Sequence, residues 1–141
     1  MKTNISLALL AVCELAQVTQ DGKLSLLGIF SRLMARRVPM RVPRFYMVGM
    51  LTGAPLTESK VSFQIIGPSS QNAIQEFQAK VRLGFDGKAN VLNELTNTTL
   101  TDFGTYTVIL NINGQRLGAT EFVVAQPEEP DLKRSSSTIP N

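Results

Sequence analysis

Apolar and polar residues alternate with a period near two along most of the chain, and turn residues cut the pattern at short intervals. That periodicity belongs to half-buried strands rather than helices. Ile5–Val12 is a continuous apolar run, as expected of a buried strand. Asp21-Gly22 marks a turn, and Lys23–Leu33 follows as the next strand-forming stretch. Its core residues are expected to be Leu24, Leu26, Leu27, Ile29 and Phe30, with Gly28 marking a bulge or a close backbone approach. Ala35–Pro43 is basic and contains Pro39 and Pro43, each lacking a backbone donor, so it is expected as a loop or a sheet edge. Phe45–Leu51 predicts a third strand and Val61–Ile66 a fourth, stopped by Gly67-Pro68. In Gln75–Leu83, Phe77, Ala79, Val81 and Leu83 alternate with Gln78, Lys80 and Arg82, which predicts one wet face. Asp86-Gly87 turns the chain, and Val91–Thr99 predicts another strand. Ser70–Phe77 is the best candidate for a short helical piece.

The end of the pattern is the most specific. Asn113-Gly114 between apolar-rich runs is the strongest short-range hairpin signal, because a type I′ turn needs positive φ at both central residues. Before it, Asp102, Gly104 and Tyr106 resemble the tyrosine corner of immunoglobulin-like sandwiches, in which a Tyr hydroxyl bonds back to upstream backbone. Roughly eight short strands between turn signals predict an all-β fold, an antiparallel two-sheet immunoglobulin-like sandwich of about 7–9 strands. Residues 1–125 form that domain. Residues 126–141, with Pro127, Pro130, Pro140 and Ser135-Ser136-Ser137, read as a loosely attached polar tail.

Composition narrows the chemistry. In 141 residues there is no His and a single Cys, Cys13. Ser-His-Asp and Cys-His nucleophile systems cannot be built from this chain, and a zinc site lacks its usual ligands. We therefore expect no enzyme activity, no cofactor and no metal. One Cys forbids an internal disulfide, which fits a reducing compartment and a cytoplasmic protein. The alternative is an exported or lipid-anchored protein, in which Lys2 and the apolar run Ile5–Cys13 act as a signal. Against it, Glu14 stands where a cleavage site wants a small residue. The run is also too short to span a membrane, so no integral membrane segment is expected.

The segments Cys13-Glu14-Leu15-Ala16-Gln17-Val18 and Gly22-Lys23-Leu24 through Gly28-Ile29-Phe30 resemble a family of small prokaryotic proteins of unknown function. In that family an acidic-x-Ala-Gln motif precedes a Gly-Lys-Leu-x-x-x-Gly-x-Phe strand, and a Gly-x-Tyr strand leads into a final hairpin, as Gly104–Val124 does here. The resemblance extends to about residue 125. It implies an immunoglobulin-like sandwich and carries no activity, cofactor or catalytic residue to transfer.

Arg32, Arg36, Arg37, Arg41 and Arg44 lie close together with no acid among them, and Tyr46 stands beside them. Clustered guanidinium groups hold phosphates and carboxylates, and a neighbouring ring can stack on a base. The plainer reading is a charged, proline-cut loop that protects a sheet edge. Glu14 and Gln17 are expected to satisfy backbone groups at the first turn, and Cys13 to be an inert buried thiol. The function expected is a non-enzymatic interaction or structural module, a subunit or accessory protein that docks onto a larger protein assembly or onto itself. Its contacts are expected on strand faces near Ile109 and on the Arg32–Arg44 segment. The alternative is an electrostatic binder of nucleic acid or an anionic surface through the arginines.

Overall fold

A computed structural model describes residues 4–69 and 73–127. Nine strands run in order: β1 (Ile5–Val18), β2 (Leu24–Ile29), β3 (Arg32–Met34), β4 (Met40–Gly53), β5 (Glu58–Ile66), β6 (Ala73–Arg82), β7 (Lys88–Leu100), β8 (Gly104–Ile112) and β9 (Gln115–Ala125). They form two sheets, ordered β2-β1-β4-β7 and β3-β9-β8-β5-β6. The protein is all-β, and no helix among the described residues is long and apolar enough to cross a membrane. Every neighbouring pair is antiparallel except β3 and β9, which run parallel through Arg32↔Val123 and Met34↔Ala125. The purely antiparallel expectation is corrected at that one edge.

The inner faces of the sheets share one core. Phe45, Met47 and Leu51 of β4 meet Phe63 and Ile65 of β5, Val108 and Leu110 of β8, and Phe122 of β9. Phe30, Phe45 and Phe122 stand edge to face with centroids 5.7–6.3 Å apart, an arrangement that suits the ring quadrupoles. Tyr106 stacks on Phe122 at 5.2 Å. Asn113 and Gly114 take φ of 49° and 81°, which lets β8 fold straight back into β9.

Two readings of the sequence are corrected. Lys23–Leu33 is not one core strand. It is divided between the sheets as β2 and β3, and of its expected core residues only Phe30 packs on the shared core. Ala35–Pro43 is part loop and part sheet edge, as expected: residues 35–39 lie between strands and β4 begins at Met40. The reason is local: β4 pairs with β1 only as far as Tyr46, so residues 40–45 pair with β7 alone, and Pro43 takes no part in the ladder. The helical piece expected over Ser70–Phe77 is strand from Ala73 onward, and residues 70–72 lie outside the described residues. The tail expected over 126–141 lies outside them as well, beyond Pro127.

Candidate interaction surface

The outer face of the first sheet is apolar across β2, β1 and the middle of β4, where a solvated sheet face alternates to polar, and turns polar on β7 at Asn90 and Glu94. Leu9, Ala11 and Cys13 of β1 stand against Met50, Val48 and Tyr46 of β4, and Val48 in turn against Leu92 of β7. Cys13, Ala16 and Val48 are buried there under Leu24, Leu26, Tyr46 and Leu92, forming a second apolar cluster on the outside of the molecule. The Cys13 thiol donates to the Leu15 carbonyl at 3.3 Å, and burial pushes its pKa up. Burial is the larger effect and keeps it a thiol rather than a nucleophilic thiolate.

The β1–β2 hairpin extends this surface to the sheet edge. Its ladder pairs Cys13↔Ile29 and Leu15↔Leu27 but skips Glu14 and Gly28. Gly28 has φ +70°, a conformation that favours glycine, and a Cβ there would displace the exposed Glu14 carboxylate that lies over it. This break places Cys13 and Ala16 on one face although they stand three positions apart, an odd spacing that regular alternation puts on opposite faces. Val18 (46%) and Ile29 (61%) are left exposed on this face of the hairpin, and Leu15 (40%) and Leu27 (65%) on the opposite one. Sequence reasoning had placed Leu27 and Ile29 in the core. An apolar run records burial potential but not which face of which sheet receives it.

Glu14 and Gln17 also differ from expectation. Both lie exposed in β1, and the turn that follows is held by Thr19, whose Oγ1 accepts from the Lys23 N–H at 3.0 Å. Asp21 takes a short hydrogen bond from the same Thr19 hydroxyl, which holds its carboxyl below the usual range.

The arginines do not share one loop. Arg32 is in β3 of the second sheet, Arg36 and Arg37 lie in the connection, and Arg41 and Arg44 are in β4 of the first sheet. All five are exposed. Arg44 is paired with Glu94 at 3.5 Å, while among the described residues no carboxylate lies within ion-pair distance of the other four. The Gln126 side chain donates to the Arg36 carbonyl at 3.1 Å, bringing the end of β9 to this cluster. Tyr46 is half-buried against the apolar outer cluster.

Asp102, Gly104 and Tyr106 meet at the start of β8. The Tyr106 hydroxyl donates to the Asp102 carbonyl at 2.8 Å and accepts from the Asp102 N–H at 3.1 Å. The Asp102 carboxylate accepts from Ser69 at 2.8 Å and Thr101 at 3.0 Å. Burial raises the Tyr106 pKa. These bonds tie the corner to the sheet and leave no group aimed at a ligand.

The outer face of the second sheet is polar. Asn111 donates to Ser62 at 3.3 Å and Gln64 at 3.2 Å, and Gln64 donates to Glu76 at 2.9 Å. A shallow hollow of about 460 Å³ lies beside them, lined by Lys60, Ser62, Gln78, Lys80 and neighbours. Ile109 is half-buried on this face opposite Gln64, away from the exposed aliphatics. Among the described residues no three Cys, Asp or Glu side chains cluster as metal ligands do.

Fold and surface together define a two-sheet all-β protein with one wet and one apolar outer face. The chain matches the family of unknown function DUF6941 over residues 8–125, and it belongs to that family. No curated protein matches it. Among solved structures, the alkylpurine DNA glycosylase AlkC of Pseudomonas fluorescens, bound to DNA containing an abasic site analogue, is similar with a TM-score of 0.56 at 18% identity. That match covers 86% of this chain and 30% of the glycosylase. A GH3 β-glucosidase of Bifidobacterium adolescentis is similar with a TM-score of 0.50 at 11% identity, covering 85% of this chain and 17% of the enzyme. The chain thus spans less than a third of either protein, and the likeness is one of fold.

Proposed function

We propose that this chain is a non-enzymatic, immunoglobulin-like docking module, a subunit or accessory protein that binds a larger protein assembly through the outer face of its first sheet. The observation that carries the reading is the second apolar cluster, Cys13, Ala16 and Val48 under Leu24, Leu26, Tyr46 and Leu92, continued by the exposed Val18 and Ile29 of the β1–β2 hairpin. Contiguous exposed apolar surface on a soluble protein marks an interaction site, because leaving it in water forgoes roughly 25 cal/mol per Å². The residue set supports the non-enzymatic part, since a chain without His and with its one thiol buried lacks the usual nucleophile–base pairs.

The test is affinity capture from the native host at low and high salt, comparing the wild-type chain with Ile29→Asp. Ile29 is exposed on the docking face, so the variant folds while placing a charge in the contact. A stoichiometric protein retained at high salt by the wild type and lost with Ile29→Asp supports the reading. Equal capture by both sinks it.

A second reading rests on its own observation. Arg32, Arg36, Arg37 and Arg41 are exposed and without carboxylate partners among the described residues. They suit an anionic surface, including a nucleic-acid backbone. Binding through them would fall steeply with salt, whereas an apolar contact would not.

A further inference from the structure

The sheets end in four strand edges, and three are guarded against pairing with another chain. β6 carries Glu76, Lys80 and Arg82, and β3 is only three residues long and charged at Arg32. β7 carries Lys88 and Glu94 and kinks at Asn97, where φ is +51°. Charge, shortness and distortion are the devices by which sheets avoid edge-to-edge association. β2 has none of them between Leu24 and Leu27: its sequence is Leu-Ser-Leu-Leu, without charge or proline, and the break at Gly28 falls after it.

The hydrogen bonds at its ends show which backbone groups are open. Thr19 N–H donates to the Lys23 carbonyl, so Lys23 faces β1. By alternation Ser25 and Leu27 also face β1, while the N–H and C=O groups of Leu24 and Leu26 point to the open side. We propose that this edge pairs antiparallel with the β2 edge of a second copy about a two-fold axis through Ser25. In that register Leu24 of each copy faces Leu26 of the other, so all the open backbone groups are paired and the contact is self-complementary. Lys23 of one copy falls opposite Leu27 of the other, so no like charges meet. Leu24 and Leu26 also belong to the outer apolar cluster. Pairing therefore continues that face across the axis as one eight-stranded sheet. These features favour a second copy over an unrelated strand.

The pairing does not depend on the partner reading. Leu27 alternates with Leu26 and lies on the sheet face opposite the docking surface, so changes at Leu27 leave that surface intact. The test is the mass of the full chain in solution from low to high micromolar concentration, for wild type, Leu27→Lys and Leu27→Glu. Leu27 is largely exposed, so both variants keep the fold, checked by circular dichroism. The wild type should reach twice the chain mass, with the Leu24 and Leu26 amides protected from hydrogen exchange in the dimer and released on dilution. Leu27→Lys sets a lysine against Lys23 at both ends and should weaken the dimer about tenfold or more relative to Leu27→Glu, which sets a carboxylate there. A single-chain mass at every concentration overturns the proposal, and so do equal dimer affinities for the two variants.

Discussion

Both sheets are built of mainly antiparallel strands, yet their outer faces differ in kind. On the second sheet Asn111, Ser62, Gln64 and Glu76 bond to one another across β8, β5 and β6. On the first sheet the corresponding positions hold Cys13, Val48, Leu26 and Leu92, which cover each other and leave Ile29 and Val18 in solvent. Both inner faces contribute to one core. The difference therefore lies outside that core. A sheet face that does not join the core is stable when polar. An apolar one is worth keeping where it is covered by something else.

Substitutions on the faces can break or sharpen this contrast. The largest effect should come from the shared core. Phe122→Ala removes the ring that meets Phe30, Phe45 and Tyr106, and should cost about 3–5 kcal/mol in denaturant unfolding. A cost below about 1 kcal/mol would mean that the sheets are not held by this cluster. Next is Leu26→Ser with Leu92→Ser on the apolar outer face. Each is half-buried, so together they should cost roughly 1–3 kcal/mol. Asn111→Ala on the polar face should cost no more than about 1 kcal/mol. If the two outer-face changes cost the same, the second cluster contributes nothing to folding and the contrast fails on stability.

Tyr106→Phe should cost about 0.5–1.5 kcal/mol, since it strips two backbone partners of the hydroxyl at Asp102. It also carries a pH signature. Burial raises the folded-state pKa of Tyr106 above its ordinary value near 10. The bonded hydroxyl's contribution is therefore full below about pH 10 and is lost as pH rises through the folded-state pKa. Wild-type stability should fall there more steeply than that of Tyr106→Phe; identical slopes would count against a buried, bonded hydroxyl. The smallest effect belongs to Arg36→Ala/Arg37→Ala/Arg41→Ala. These exposed side chains have no ion-pair partner among the described residues, so stability should move by no more than about 0.5 kcal/mol per residue. A larger drop in thermal midpoint would make the arginines structural.

Much of the fold was legible because it is encoded locally. Asn113-Gly114 sets a turn through its own φ preferences, and alternation over Val61–Ile66 and Gln75–Leu83 marks strand and face together. Gly28 was legible as an irregularity, since a lone glycine in an apolar strand pattern usually records a bulge or a close approach. The candidate surface was much less legible. Leu27 and Ile29 carry the same apolar signature as Leu110 and Ile112, yet the first two are exposed and the last two fully buried. Exposure there follows from β2 lying at a sheet edge, a fact about strand order and not about residue type. Pro43 was read as loop or sheet edge because proline cannot donate to a ladder. It is tolerated within β4 because β1 stops pairing at Tyr46, again a consequence of register between distant segments.

The sequence by itself determined the all-β class, most of the strands and turns, the corner residues, and the absence of the usual His- and Cys-based catalytic sets. Those follow from backbone preference, side-chain periodicity and composition, which act over a few residues or need no geometry. The tertiary structure alone decided which apolar strand would face the core and which the solvent, that β3 would join the second sheet in parallel, and that β2 would be left as an uncharged edge. Those depend on which strands, far apart in the chain, lie side by side, and a period of two marks a strand's faces without saying what lies beyond them.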